Sequence, residues 1–312
     1  MELGRHPVKE LNLPRTYRPF FPSGKYDMII VSLVHQTVDL LRHLSQIIDK
    51  YVKGRFLWIV HFNSEEYVDE NTLPDFLWLV RTPIETRGYT PSLTHGICRA
   101  LEFAGQHITY TNVLLMSSGS SFYRPYTIPT EPYIGLYPNG TLFDNGDYKF
   151  HFPIPMEYIG NFTQYCISRK NGDGWQYKYF DRDHRIQEIL KQNKFKWVCG
   201  SQWSGIVFPS AVASHLVRDM KAIEQFDYIP SIPDYPLEEI IFSTYTYNYA
   251  IEQSIPILMV ETIIDWNCEY ETSQKSIETY RQIATVFRGI GHLVCHLPAH
   301  VDAVRQFLLT GD

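Results

Sequence analysis

Residues 26–35 read YDMIIVSLVH, a run of apolar and β-branched side chains with no turn residue inside it. A strand exposed on one face alternates apolar and polar residues. A continuous run instead fits a parallel strand covered on both faces, and parallel strands need helical crossovers to join them. The residues that follow supply one. Leu40, Leu44, Ile47, Ile48 and Tyr51 recur at helical spacing, and then RFLWIVHF (55–62) and FLWLV (76–80) read as two more strands.

Further on, Thr90-Pro91 opens a second helical pattern, with proline at the first helical position. Leu93, Ile97, Leu101 and Ala104 form its apolar stripe, and Gly105 is placed to end it. The strand TNVLLM comes next. The order β-α-β-β-α-β predicts an α/β fold, a mostly parallel Rossmann-like sheet flanked by helices. Ligands of such sheets bind beyond the carboxyl ends of the strands, where His35, His61, Asn63 and the run Ser117, Ser118, Gly119, Ser120, Ser121 fall.

The first 25 residues carry several prolines and no period, and read as an arm. The stretch 125–180 is rich in Tyr, Pro, Gly and Asn without regular periodicity, as expected of a substrate loop or lid. Regularity returns with a helix near 184–194 and the strand-like KWVCGSQWSGIVF. Helices near 209–223 and 236–250 and the strand IPILMVE (255–261) follow, with helical patterns near 273–285 and 299–310. The division expected is an arm (1–25), a main α/β domain (26–265, in halves 26–124 and 125–265) and a C-terminal helical segment (266–312).

Composition narrows the function. The net charge of −6, without a dense Lys/Arg block, argues against nucleic acid as the main partner. The five cysteines are odd in number and form no CxxC pair, which disfavours a disulfide framework or a zinc ribbon. No apolar leader and no 18-residue apolar run occurs, so a soluble, cytoplasmic protein without a transmembrane segment is expected. The sequons at Asn139 and Asn161 would matter only in a secretory lumen.

Several clusters invite chemistry. Asp181-Arg-Asp183 has the D-x-D form that holds a divalent metal in many transferases, yet it directly precedes a helical pattern, where Asp is favoured as a cap. His292, Cys295, His296 and His300 resemble a metal cluster, but Pro298 breaks the helical register the ligands need. Glu238 and Glu239 follow Pro236 and fall in a first helical turn. There the dipole favours a carboxylate, and an ionised carboxylate also suits a general base.

In order, these landmarks resemble glycosyltransferase family fourteen, the core-2/I-branching N-acetylglucosaminyltransferases and protein xylosyltransferases. The segments that carry the likeness are IIVSLVHQTVDLLRHLSQI, FLWIVHFN, RGYTPSLTHGICRALEFA, NVLLMSSGSSFYRP, CGSQWSGIVFPSAVASHLV and PLEEIIFST, within residues 26–290. The resemblance implies a GT-A fold, a nucleotide-sugar donor such as UDP-GlcNAc or UDP-xylose, a glycan acceptor, and inversion without an essential metal or other cofactor. It implies Glu239 as base, with Glu238 at the preceding acidic position, and basic residues such as Arg288, with Lys275 and Arg281 nearby, at the diphosphate.

His35, His61, Asn63, Ser117, Ser118 and Gly119 are then expected at the donor, and Ser120, Trp203 and Glu238 at the acceptor sugar. This chain departs from the family pattern at Asn63, at Arg87-Gly88-Tyr89 and at Ser120–Ser121, where the family carries an aspartate, Trp-Gly-Gly and an acid. Two alternatives follow: an inactive sugar- or nucleotide-binding module, and a metal-dependent transferase using Asp181 and Asp183.

Overall fold

The computed structural model describes residues 24–82, 86, 90–122, 124–136, 141–142, 148–149, 153–168, 177–201, 203–222, 235–258, 262–264, 293–295 and 309. The opening run forms β1 (Lys25–Val34), buried from Met28 onward. It lies between β2 (Phe56–Phe62) and β4 (Thr109–Ser117) and is parallel to both, and β3 (Leu77–Val80) extends the parallel set beyond β2. The crossovers are α1 (Val38–Tyr51) and α2 (Ser92–His107).

Three short strands complete the sheet: β5 (Ile134–Gly135), β6 (Val207–Pro209) and β7 (Ile257–Leu258). The seven strands stand in the order β3-β2-β1-β4-β6-β5-β7. Only β6 runs against its neighbours, pairing antiparallel with both β4 and β5, while β7 is parallel to β5. The protein is therefore mixed α/β with a mostly parallel central sheet, as the apolar runs predict.

Alternation along β1 divides the core. Ile29, Val31 and Leu33 join the cluster that includes Leu93, Ile97, Leu101 and Ala104 of α2. Met28, Ile30 and Val34 join the cluster of Leu40, Leu41, Leu44 and Ile48 of α1. Both sheet faces are covered, which is what a strand without polar alternation requires. On the α1 side the Trp58 indole N–H donates to Ser32 Oγ at 2.9 Å, so the polar atoms of this buried pair satisfy each other.

On the α2 side lie α6 (Ser210–Ala222) and α7 (Glu238–Gln253), with α2 packed on α6 and α6 on α7. Shorter helices α3 (Phe162–Ser168), α4 (Tyr177–Phe180) and α5 (His184–Gln192) come between β5 and β6 in the chain. Phe208 of β6 stacks on Phe242 of α7 at 6.4 Å between centroids, fixing that helix against the sheet.

Some boundaries differ from the sequence reading. Pro91 sits just outside α2, and Gly105 does not end the helix. The chain stays helical to His107, and Ile108 then turns extended, its N–H closing on the Ala104 carbonyl as β4 begins. KWVCGSQWSGIVF is not one strand. It gives the pair Trp197–Val198, bonded to Ile154–Pro155, and then β6, separated by a loop with Gly205 at φ +93°.

The helical patterns near 273–285 and 299–310 lie outside the described residues, apart from Leu309. Of the C-terminal segment, Leu293–Cys295 pairs antiparallel with Ser120–Phe122 and parallel with Thr262–Ile264. Among the described residues no helix is long and apolar enough to cross a membrane.

Two helical glycines give opposite expectations. A Cβ at Gly105 meets nothing within 4 Å, whereas one at Gly96 would lie 2.7 Å from Leu33 Cδ2 and 3.0 Å from His61 Nδ1. Gly105→Ala should stabilise by up to about 1 kcal/mol, the cost of glycine in a helix. Gly96→Ala should destabilise by roughly 1–3 kcal/mol through overpacking. Urea midpoints of the two variants, shifting in opposite directions, check this.

Candidate functional site

At the carboxyl edge of a parallel sheet, main-chain groups and loop side chains open toward a ligand. His35 and Gln36 follow β1 and are exposed, and Asn63 follows β2 with its N–H on the Val34 carbonyl at 3.0 Å. The turn Ser118–Gly119 follows β4, and the Gln36 amide donates to Ser118 Oγ at 2.8 Å, linking the ends of β1 and β4.

Because β6 is reversed, the loop that precedes it arrives at this same edge. Gly205 N–H donates to the Leu115 carbonyl at 2.7 Å, and Leu115 N–H to the Ile206 carbonyl at 3.0 Å. Just before that ladder, Ser204 Oγ accepts from Ser117 N–H at 3.0 Å and lies 2.8 Å from Ser120 Oγ, which is 2.7 Å from Ser117 Oγ. Three hydroxyls thus share hydrogen bonds without any formal charge.

Ser120, expected at the acceptor, is 0% exposed with its hydroxyl inside this cluster. Ser117, Ser118 and Gly119 are the partly exposed members of the run. Ser121 Oγ is buried with no hydrogen-bond partner among the described residues.

The other end of the same loop is fastened to α7. Ser201 N–H donates to the Glu239 carbonyl at 2.7 Å, Ser243 Oγ to the Cys199 carbonyl at 2.6 Å, and Cys199 N–H to Thr244 Oγ1 at 3.0 Å. Residues 199–206 therefore tie the first turns of α7 to the end of β4. That first turn carries Glu238 and Glu239, 3% and 8% exposed.

Glu238 Oε2 has no hydrogen-bond partner among the described residues. Burial, and then the charge of Glu239, hold its carboxyl well above the usual carboxylate range. Two buried tyrosines lie close by. The Gly200 main chain hydrogen-bonds the Tyr177 hydroxyl, and the Tyr235 hydroxyl donates to Asp183 Oδ2 at 3.2 Å. Burial above all keeps both phenols well above their ordinary value.

Both aspartates of the D-x-D are caps. Asp181 accepts the N–H groups of Phe162 and Thr163 at 2.7 and 2.9 Å, starting α3. Asp183 is the N-cap of α5, receiving Ile186 N–H, and also takes the Tyr235 hydroxyl and the Arg185 guanidinium at 3.5 Å. Among the described residues no group of three or more His, Cys, Asp or Glu is placed to hold a metal ion.

Besides Ser120 and Glu238, three expected ligand contacts lie in the interior, Asn63 among them at 5% exposed. Trp203 is 7% exposed and packs into the α2-side core. His61 is fully buried against Gly96, with Nε2 2.9 Å from Thr82 Oγ1. Burial first, then His95 and Arg99, lower its pKa to about 3, so it is a neutral packing histidine at physiological pH. Lys275, Arg281, Arg288, Arg87–Tyr89, His292, His296 and His300 lie outside the described residues, as do the Cys295 side chain and the Asn139 sequon.

Sequence reading missed Ser204, Ser201 and Gln36, and only the KWVCGSQWSGIVF segment drew attention to the first two. No family model and no curated protein matches this chain.

His61 and Glu238 give opposite pH dependences. The unfolded His61 imidazole takes up a proton below about 6.5 that the folded one refuses until about 3. Stability therefore falls as pH drops through that window, by on the order of a few kcal/mol. Glu238 keeps a proton that the unfolded carboxyl loses above 4.5, so its contribution is full below 4.5 and is lost as pH rises. Glu238→Gln should be more stable than the parent at mildly alkaline pH and nearly equal to it at pH 4. His61→Gln should show a shallower acid decline. Denaturant midpoints across pH read both.

Proposed function

We propose that this chain is an inverting glycosyltransferase of GT-A type that works without an essential metal. It would move a sugar from a nucleotide donor, UDP-GlcNAc or UDP-xylose by the family resemblance, to a glycan hydroxyl. The observation that carries this reading is the buried Glu238–Glu239 turn, tied by residues 199–206 to the serine-lined end of β4. The carboxylate suited to a general base and the uncharged hydroxyls at the end of β4 are then joined through one loop. The single reversed strand beside β4 supports a GT-A reading over a plain doubly wound sheet, since it brings the loop bonded to the first turn of α7 to the end of β4.

In the reaction, Glu239 takes the proton of the acceptor hydroxyl as its oxygen bonds to the anomeric carbon from the face opposite the diphosphate. The carbon–oxygen bond to the diphosphate breaks, and the nucleoside diphosphate leaves with the electron pair. Inversion follows from that single displacement. Ser117, Ser118 and the Gly119 main chain can hydrogen-bond donor oxygens without adding negative charge beside an anion. Compensation of the leaving group falls to basic residues, for which the resemblance offers Arg288 and the later chain also supplies Lys275. Asp181 and Asp183 do not support the metal-dependent alternative, because their carboxylate oxygens already serve as caps.

A second reading, a binding module without turnover, is favoured by Asn63, where the family has an acid. Donor hydrolysis separates the two. Incubation with UDP-GlcNAc, UDP-xylose, UDP-glucose and a GDP-sugar should release nucleoside diphosphate from one of them, and activity should survive excess EDTA. Glu239→Gln should lower that turnover by about 10²–10⁴-fold, the usual worth of one positioned base, while donor binding persists. Binding without turnover in every case establishes the module instead. Undiminished turnover in Glu239→Gln removes Glu239 as base.

A further inference from the structure

Away from the ligand edge, a cleft of about 180 Å³ opens on the helical layer, between the last turns of α2, α6 and the start of β4. Leu101, Tyr110 and Ala213 are its buried lining, with Gly105 and Val217 beside them. Tyr110 is the second residue of β4 and Ser117 the last. Seven residues of strand put the cleft roughly 23 Å from the serine turn.

Two features of this lining are not required by folding. Gly105 has no positive φ, and no atom stands within 4 Å of where its Cβ would be, so neither strain nor crowding calls for glycine. Glycine inside a helix costs stability. Gly105 follows Leu101 by four residues and Glu102 by three, on one helix face, so its bareness leaves helix backbone open to the cleft. Tyr110 is 7% exposed, and its hydroxyl has no hydrogen-bond partner among the described residues. Its oxygen is not among the sealed polar atoms of the interior, so it meets open space, and the cleft it lines is the space at hand. Burial alone pushes its phenol up, so it stays a neutral hydroxyl able to donate.

The rim sets the charge. Glu102 is held from two sides, by Arg99 Nη1 at 3.0 Å and by Lys221 Nζ at 2.5 Å. Because Arg99 holds Glu102 as well, the half-exposed Lys221 can turn to an incoming anion without stranding that carboxylate. The cleft is too small for a drug-sized ligand, whose pockets run roughly 300–1,000 Å³. The large apolar side chains exposed among the described residues, Tyr67, Tyr158, Ile167, Ile251 and Leu258, all lie outside the lining. No wider apolar face of the kind a protein partner uses therefore surrounds it. We propose that the α2–α6 cleft binds a compact organic monocarboxylate. Its branched or aromatic body lies against Leu101, Ala213 and the bare backbone at Gly105, and its carboxylate is taken by Lys221 and the Tyr110 hydroxyl.

Ligand-observed NMR titration of the full chain tests this, with benzoate, phenylacetate and isovalerate as probes and benzyl alcohol and benzylamine as neutral and cationic counterparts. The acids should bind saturably, and the two counterparts about tenfold more weakly or less, the worth of one hydrogen bond to a charged group. Gly105→Leu, which fills the cleft, should abolish binding with a urea midpoint no lower than the parent's. Tyr110→Phe should weaken binding about 3- to 10-fold and Lys221→Met about tenfold or more. Glu102→Gln removes the carboxylate that competes for Lys221 and should tighten binding severalfold, a change of sign that general damage to the fold does not produce.

Binding of none of the three acids overturns the proposal, as does tighter binding of benzylamine than of benzoate. Binding that is unchanged in Gly105→Leu, Tyr110→Phe and Lys221→Met belongs to another part of the surface and overturns it equally. Each readout is binding at a place remote from the serine turn, so the result does not depend on whether the chain transfers sugar.

Discussion

A parallel strand buried on both faces can satisfy its main-chain N–H and C=O groups only through strands on either side. β1 is that strand here, held by β2 on one edge and β4 on the other, and the rest of the architecture follows from it. Its neighbours must run the same way, so they must be joined by crossovers, which are α1 and α2. Those helices must cover opposite faces, and the alternation of Met28, Ile29, Ile30 and Val31 between two clusters shows that they do. Parallel strands also finish at one edge, so the residues after β1, β2 and β4 meet without any pairing between their side chains being needed.

The second half of the chain uses that edge by breaking the rule once. β6 runs the other way, so the loop before it meets the loop after β4 head to head. Ser204 then completes the hydroxyl cluster of Ser117 and Ser120, while Ser201 and Cys199 fasten α7. The first turn of α7 is thereby buried with two carboxylates in it. Leaving both ionised there would be costly, and burial with the charge of Glu239 raises the Glu238 carboxyl well above the usual carboxylate range. Charge, burial and strand polarity are here one arrangement.

What the sequence made legible is what period and continuity encode. The apolar runs of β1, β2 and β4 and the stripes of α1 and α2 are where the pattern places them. Strands of two residues, β5 and β7, have no period, and their pairing is decided by what lies beside them. Asp183 could be read as a cap because it precedes its own helix. Asp181 caps α3, whose first N–H groups belong to Phe162 and Thr163, across 19 and 18 residues, and no local pattern reports that. Ser204 meets Ser120 across 84 residues, so the polar composition of the run was visible while its closure was not. His61 illustrates the reverse error. A histidine at a strand end looks available until Gly96, by lacking a side chain, lets the helix close over it.

The pairing of Leu293–Cys295 with Ser120–Phe122 has a consequence for the order in which the molecule assembles. Loop closure over so long a stretch of chain costs entropy before any contact offsets it, and distant pairings form late. On a ribosome the sheet around β1 can be complete while the strand beside the serine turn has yet to be synthesised. The β1–β2–β4 framework draws only on residues 25–117, whereas the strand beside the serine turn comes from residues 293–295. The edge proposed to handle substrate is closed by residues 293–295, made well after that framework, so a chain interrupted before them would keep the framework and lack the closing strand.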